Sequence, residues 1–241
     1  MIKIRGLHKS FGEQKVLAGV DLDIPQGKIT VILGRSGVGK SVLLKHIIGL
    51  IRPERGKILI DGVDIIRLGD KDLNEMRKRF GMLFQEAALF DSMDVGTNVS
   101  FPLREHTKLH EEDIKRIVAQ KLEQVGLPGL EEKMPAQLSG GMKRRVGLAR
   151  ALALDPEIVL FDEPTAGLDP PMAEAIEDLI IETQRRLKRT FVVITHSITT
   201  AFHIAHKIAM LHEGRIIEEG PPRTFKGSSN PVVHAFITRG K

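Results

Sequence analysis

The sequence predicts an α/β fold: a mainly parallel sheet, an N-terminal antiparallel β part and a helical sub-domain inserted at about 86–151. Three observations lead there. Short apolar runs alternate with helical patterns on either side of that insert, as strands joined by crossover helices require. The string Gly34-Arg35-Ser36-Gly37-Val38-Gly39-Lys40-Ser41 lies between an apolar run at 28–33 and a helical run at 42–49, where a phosphate-binding turn belongs. From 86 to 150 the strand signal vanishes and helical spacing takes over. One domain over 1–241, carrying the helical insert, is the expected organisation.

Residues 2–7 and 20–24 alternate apolar and polar positions like half-buried strands. Pro25-Gln26-Gly27 then turns the chain into the strand ahead of the phosphate-binding string. Residues 56–60 read as a strand entering a hairpin turn at Asp61-Gly62. A short polar helix comes next at 70–78, then a buried strand at 80–84 that ends at Gln85. Within the insert, Ile114, Ile117, Val118, Leu122 and Val125 recur at helical spacing over 111–125, and Gly126 stops that helix. A second helix is expected over 142–154. Strands resume at 158–161, 191–195 and 208–211, separated by helices at 170–188 and 197–205. A strand at 215–219 and a small helix at 230–238 complete the reading, with no internal repeat or low-complexity linker.

Composition excludes several classes. At 41% hydrophobic and 28% charged, the 241 residues are ordinary for a globular chain. Cysteine is absent, so disulfides and thiolate chemistry are excluded and a reducing compartment is expected. The alternating start Met1-Ile2-Lys3-Ile4-Arg5 does not read as a signal peptide. The most apolar stretch, 42–51, is broken by Lys45 and His46 and is too short to span a bilayer. A net charge of +5 suits an anionic ligand, an anionic membrane surface or nucleic acid, without choosing among them. Tryptophan and tyrosine are both missing, which leaves phenylalanine as the stacking aromatic.

The chemistry starts at the phosphate loop. Its glycines let successive N–H groups turn inward around phosphate oxygens, and the following helix aims its positive end at the same anion. Gly34, Arg35, Ser36, Gly37, Val38 and Gly39 would line the phosphates and Val42 would close the stretch. Lys40 would reach the β- and γ-phosphates, and the Ser41 hydroxyl would hold Mg2+. Such a loop predicts the core of a P-loop NTPase. Asp162-Glu163 come after the apolar run Ile158-Val159-Leu160-Phe161, so both carboxylates fall at the strand edge where α/β sheets bind ligands. Asp162 should accept from waters of the magnesium shell, and Glu163 should polarise the water that attacks the γ-phosphate. Leu138-Ser139-Gly140-Gly141-Met142 places a serine and two glycines at a helix start, either as a plain N-cap or as a second anion site.

That third string resembles the signature of ABC-type ATPases, ordinarily Leu-Ser-Gly-Gly-Gln. The order of phosphate loop, Gln85, signature, Asp162-Glu163, Ala166-Gly167-Leu168-Asp169 and His196 matches the same family across nearly the whole chain. The resemblance implies an ABC ATPase fold and a head-to-tail homodimer, with each ATP between one phosphate loop and the partner's Ser139, Gly140, Gly141 and Met142. It also implies that Gln85 sits at the magnesium and the transporter contact, Asp169 at the dimer seam, His196 on the γ-phosphate and Phe11 against the adenine. A core position is the alternative for Phe11.

Met142 in place of glutamine, the following Lys143-Arg144-Arg145, and the stretches 83–90 and 101–107 are similar to the ATPase of bacterial Mce-type (Mla-like) phospholipid transport systems. This resemblance implies ATP hydrolysis at the cytoplasmic face of the inner membrane. A membrane permease would dock through about 86–107 and work with Mce-type lipid-binding components, with no nucleic acid involved. Several proteobacterial members carry a longer C-terminal tail for an accessory subunit; the sequence ends at Lys241, which leaves that partner open. Two other readings stand beside this one: a soluble ABC ATPase acting on ribosomes or DNA, or a cassette for a non-lipid cargo. His203 and His206 are read as surface residues rather than a metal pair. Lys143-Arg144-Arg145 is read as a solvated face near the dimer seam, and the run Arg185-Arg186-Leu187-Lys188-Arg189 as a helix end whose cations suit the dipole.

Overall fold

The computed structural model describes residues 1–239, so Lys241 lies outside the described residues. It divides into two compact units, Met1–Arg77 with Thr190–Lys241, and Lys78–Arg189. In the first unit, strands β1 (Ile2–Phe11) and β2 (Gln14–Ile24) form an antiparallel hairpin closed by Gly12 at φ +59°. Both strands run further than the alternation at 2–7 and 20–24 predicts. The extensions pair across irregular register steps and are mostly half-buried or exposed, with Leu17 alone buried, so they leave no apolar alternation to read. β3 (Ile29–Leu33) is buried at all five positions, as a central parallel strand must be. Helix α1 (Lys40–Ile47) comes after the phosphate loop and ends before Gly49, whose φ of +71° no β-branched residue would adopt cheaply. β4 (Arg55–Ile60) and β5 (Val63–Asp64) complete an antiparallel sheet in the order β2-β1-β4-β5. Ile2, Ile4, Leu7, Val20, Leu22 and Ile60 fill one of its faces. Helix α2 (Asp70–Arg77) sends Leu73 against Gly49.

In the second unit, β6 (Phe80–Leu83) pairs in parallel with β7 (Ile158–Asp162). Between them in sequence lie α3 (Val95–His106), α4 (Glu111–Gln124) and α5 (Gly140–Ala151). Sequence patterning does not announce α3, because Pro102 stands inside it and Thr97-Asn98-Val99-Ser100 are poor helix formers. It forms because Asp94 caps it, accepting from the Thr97 N–H at 2.6 Å, and because Asn98 bonds back to Phe90, Met93 and Asp94. Helix α5 begins two residues earlier than expected and stops at Ala151, since Ser139 is its cap and Asp155 turns away at φ +50°. It crosses β6 so closely that a Cβ on Gly81 would stand 2.1 Å from the Ala151 carbonyl oxygen. Helix α6 (Pro170–Leu187) ends this unit with Arg185 and Arg186 in its last turn, where cations suit the dipole.

Back in the first unit, β8 (Thr190–Thr195) and β9 (Lys207–His212) flank β3 in parallel register, Leu33 pairing with Thr195 and Met210. Helix α7 (Ile198–Ile204) connects them and β10 (Arg215–Gly220) runs antiparallel to β9. Helices α8 (Pro222–Lys226) and α9 (Pro231–Arg239) come last, the first too short to show a period in sequence.

Candidate functional site

The phosphate loop leaves β3 at Gly34, whose missing side chain matters: a Cβ there would lie 2.5 Å from the Leu211 carbonyl oxygen. Gly37 and Gly39 adopt φ of +81° and +101°, turning consecutive N–H groups the same way. Gly39 is the N-cap of α1 and no side chain caps the helix, so the positive end of the helix faces the loop. Lys40 is 5% exposed, and its Nζ donates to the carbonyls of Gly34 at 2.9 Å and Arg35 at 3.0 Å. Those bonds hold the ammonium across the mouth of the loop. Arg35, Ser36 and Gly37 are exposed while Ser41 and Val42 are half-buried.

Two further predicted residues lie in this unit. His196 comes directly after the last residue of β8 and is exposed. It lines a cleft of about 520 Å³ together with Arg35, Ser36, Ser197, Thr199 and Phe236. Phe11, at the tip of the β1–β2 hairpin, is 48% exposed, which excludes the core alternative. Lys9 Nζ stands 5.3 Å over its ring, so one face already carries a cation. His206, expected at the surface, is exposed but has a structural task, its Nδ1 lying 3.2 Å from the Ile29 N–H.

The remaining predicted residues lie in the second unit. β7 delivers Asp162 as its last residue, and Glu163 comes next in the left-handed region at φ +47°. A non-glycine residue there stores about 1–2 kcal/mol of backbone strain. The strain turns the chain sharply off the strand end and leaves both carboxylates half-buried rather than sunk in the core. The next turn is closed by the Ala166 N–H on the Glu163 carbonyl at 3.1 Å and leads to Asp169. Asp169 is exposed and caps α6, accepting from the Met172 N–H at 3.0 Å.

Ser139 caps α5, accepting from the Met142 N–H at 3.3 Å, and it is exposed with Gly140 beside it. Gly141 is buried, and a Cβ on it would fall 2.6 Å from Met172 Cε. The basic run behind the signature departs from expectation. Arg144 is buried and Lys143 and Arg145 are half-buried, so the run is not a solvated face. The reason is helical: Arg144 stands three residues after buried Gly141 and four before buried Leu148, on the inner stripe of α5. That periodicity was the available signal.

Gln85 is exposed at the start of a turn in which Ala87 and Ala88 both take positive φ, +63° and +46°. Sequence reasoning missed the residue that holds this turn. Arg150, at the far end of α5 from the signature, donates to the carbonyls of Ala87 at 2.6 Å and Ala88 at 2.8 Å. Its guanidinium also stands 5.7 Å over the Phe90 ring. Burial draws the Arg150 pKa below its usual value, yet a guanidinium stays charged in a protein.

A family model described as ABC transporter matches residues 17–166, spanning the phosphate loop, Gln85, the signature and the Asp162-Glu163 pair. The chain belongs to the ABC transporter family. It is an ATP-hydrolysing cassette. Its relatives include the probable ribonucleotide transport ATP-binding protein mkl of Mycobacterium leprae, 48% identical over 98% of this chain; the cassette spans 68% of that protein's length. The intermembrane phospholipid transport system ATP-binding protein MlaF of Haemophilus influenzae is 45% identical over 98% of this chain and 90% of its own. Among solved structures, a dimeric bacterial ABC transporter cassette, MJ0796, superposes with a TM-score of 0.84 at 33% identity, covering 92% of this chain and 99% of the other.

Proposed function

We propose that the cassette hydrolyses ATP between two copies of itself and uses the closure to move lipid through a membrane subunit. Residues 1–241 form one cassette in this reading, with 86–151 as its helical sub-domain. Each ATP would lie on Phe11 and the loop 34–42 of one copy and be completed by Ser139, Gly140, Gly141 and Met142 of the other, with Asp169 at the seam. Lys40 would leave the Gly34 and Arg35 carbonyls for the β- and γ-phosphates, exchanging two neutral acceptors for charged ones. Glu163 would take the proton of the attacking water, and His196 would hold the γ-phosphate through closure. The donors Ser41, Gln85 and Asp162 are all oxygen ligands, which suits Mg2+. Among the described residues no cluster of three or more His, Cys, Asp or Glu could hold a metal by itself, so phosphate oxygens would share it. The ion would neutralise charge developing on the phosphates.

The observation that carries the lipid assignment is the 45% identity to a phospholipid transport ATP-binding protein over nearly the full length of both chains. The mycobacterial relative's name points to ribonucleotides instead. In this reading the membrane subunit handles the cargo, so both names are compatible with one ATPase. Among the described residues no helix is long and apolar enough to cross a membrane, so transport needs such a subunit. Its docking place would be 86–107. There a groove of about 390 Å³ is lined by Phe84, Phe90, Phe101, Pro102 and Arg150, with Phe84 and Phe90 each about two-fifths exposed. That composition suits an apolar helix presented at the cytoplasmic face of the inner membrane, alongside Mce-type lipid-binding components. The test is purification with native membrane partners, then reconstitution into vesicles carrying labelled phospholipid. ATP-dependent transfer of the label is expected; ATP-dependent movement of ribonucleotide with no lipid transfer would overturn the assignment.

A further inference from the structure

Arg144 is the buried member of the basic run, and the proposed function leaves it unexplained. It is 9% exposed, and among the described residues it forms no ion pair. Its Nη2 donates to the Ala166 carbonyl and its Nη1 approaches the Gly140 carbonyl at 3.4 Å, while Nε is buried without a partner. Gly140 belongs to the signature turn, and Ala166 opens the turn that ends in Asp169. The two turns also meet around this side chain: a Cβ on Gly140 would stand 3.6 Å from both Arg144 Nη1 and Leu168 Cδ2, and Met172 fills the space over Gly141. A methionine or leucine would fill the same volume without desolvating a charge. The guanidinium adds directed N–H bonds to carbonyls of two different turns from one rigid plane.

We propose that Arg144 is a positioning residue, fixing the signature turn and the Asp169 turn in one arrangement so that both reach a partner copy's nucleotide together. The inference rests on the composite-site reading above. It deepens that reading by naming what couples its two contributions from one chain. Burial lowers the Arg144 pKa and Glu86, in the glutamine turn, raises it, so the cation is also sensed by the third loop of this unit. Losing Arg144 leaves each turn with its own cap, Ser139 or Asp169, but frees one from the other. ATP binding to a single copy does not need that tie; hydrolysis between two copies does.

The test compares Arg144→Met, Arg144→Lys and Ser139→Ala with the parental chain, measuring the ATP Kd of the monomer, kcat and Tm. Arg144→Met keeps the packing and removes the N–H groups. It should cut kcat at least tenfold with ATP Kd within twofold of parental. Arg144→Lys should recover part of the rate, because one ammonium can reach one of the two carbonyls. Parental kcat in Arg144→Met beside an inactive Ser139→Ala would overturn the positioning role and leave the composite site standing. A Kd that weakens in step with kcat would also overturn it, since the side chain would then be general support. Parental kcat in both Arg144→Met and Ser139→Ala would bring down the composite-site reading itself. If Arg144→Met fails to fold, Arg144→Lys decides: activity and ATP Kd lost together overturn the proposal, and kcat lost alone sustains it.

Discussion

Gly39→Ala loads the phosphate loop where a left-handed backbone and a close neighbour coincide. At φ +101° an alanine costs about 1–2 kcal/mol in backbone strain alone. The new Cβ would sit 2.7 Å from Val16 Cγ1 and 3.2 Å from the Val16 carbonyl oxygen. Val16 is β-branched and stiff at χ1, so relieving that overlap moves backbone and adds about 1–3 kcal/mol. The total of about 2–5 kcal/mol has two places to go. If the loop keeps its shape, the whole amount is lost from stability, about 2–4 °C of Tm per kcal/mol for a chain this long. If the loop relaxes when empty, MgATP must restore it, and about 2 kcal/mol already weakens binding about 30-fold. Thermal unfolding and calorimetric titration of one preparation capture both, and their sum is the predicted quantity. Gly37→Ala is the internal control: its φ is +81° but nothing lies within 4 Å of the added Cβ, so only the strain applies. A Gly39→Ala protein that matches the parent in both Tm and Kd, or that is milder than Gly37→Ala, would refute the reasoning.

Phe11→Ala should weaken ATP and ADP equally, by the about 1–3 kcal/mol of one base stack, without changing magnesium dependence; unchanged ATP affinity in a titration would make Phe11 a bystander. Arg150→Ala should loosen the turn at Ala87 and Ala88, whose two charge-assisted bonds contribute about 1.5–3 kcal/mol each at most. Hydrogen exchange at 85–90 should rise while the core strands stay protected, and unaltered exchange there would count against the clamp. His46 is buried and its pKa lies below the ordinary 6.5, chiefly through desolvation, partly offset by its bond to the Val42 carbonyl and reinforced by Lys9. The unfolded chain therefore binds the proton first. Stability is full above about pH 6.5 and falls as pH drops towards the folded value, by up to about 1.4 kcal/mol per pH unit. His46→Met should flatten that slope in denaturant melts at pH 5 to 7; an equal slope would assign it to other groups.

The parallel strands were legible because burial on both faces leaves a mostly apolar run, with threonine as the one polar residue type in β3 and β8. Helix α4 was legible because its apolar residues recur on one side only, while Glu111, Glu112 and Asp113 mark its first turn. Helix α3 was hidden for a physical reason: its stability comes from the buried Asn98 amide bonding to Phe90, Met93 and Asp94, a tertiary device with no periodic signature. In the candidate site, the loop residues and the carboxylates fall on the expected strand ends, since glycine content and chain reversal are local properties. The left-handed φ of Glu163 was not legible, because nothing in a glutamate announces strain. Arg144 and Arg150 were hidden by their charge. A cation reads as solvent-exposed until the carbonyls it binds, 62 residues away for Arg150 and 22 for Arg144, are brought to it by the fold.

Hydrolysis by Glu163 across a pair of copies is tested most directly by Glu163→Gln. The amide keeps the shape and cannot accept the water's proton, so the chemical step should slow by about 10²–10⁴-fold while MgATP still binds. With the exit step blocked, two copies should stay joined on MgATP long enough to elute as a dimer in gel filtration, and ADP should leave them monomeric. Hydrolysis at the parental rate in Glu163→Gln would contradict the account.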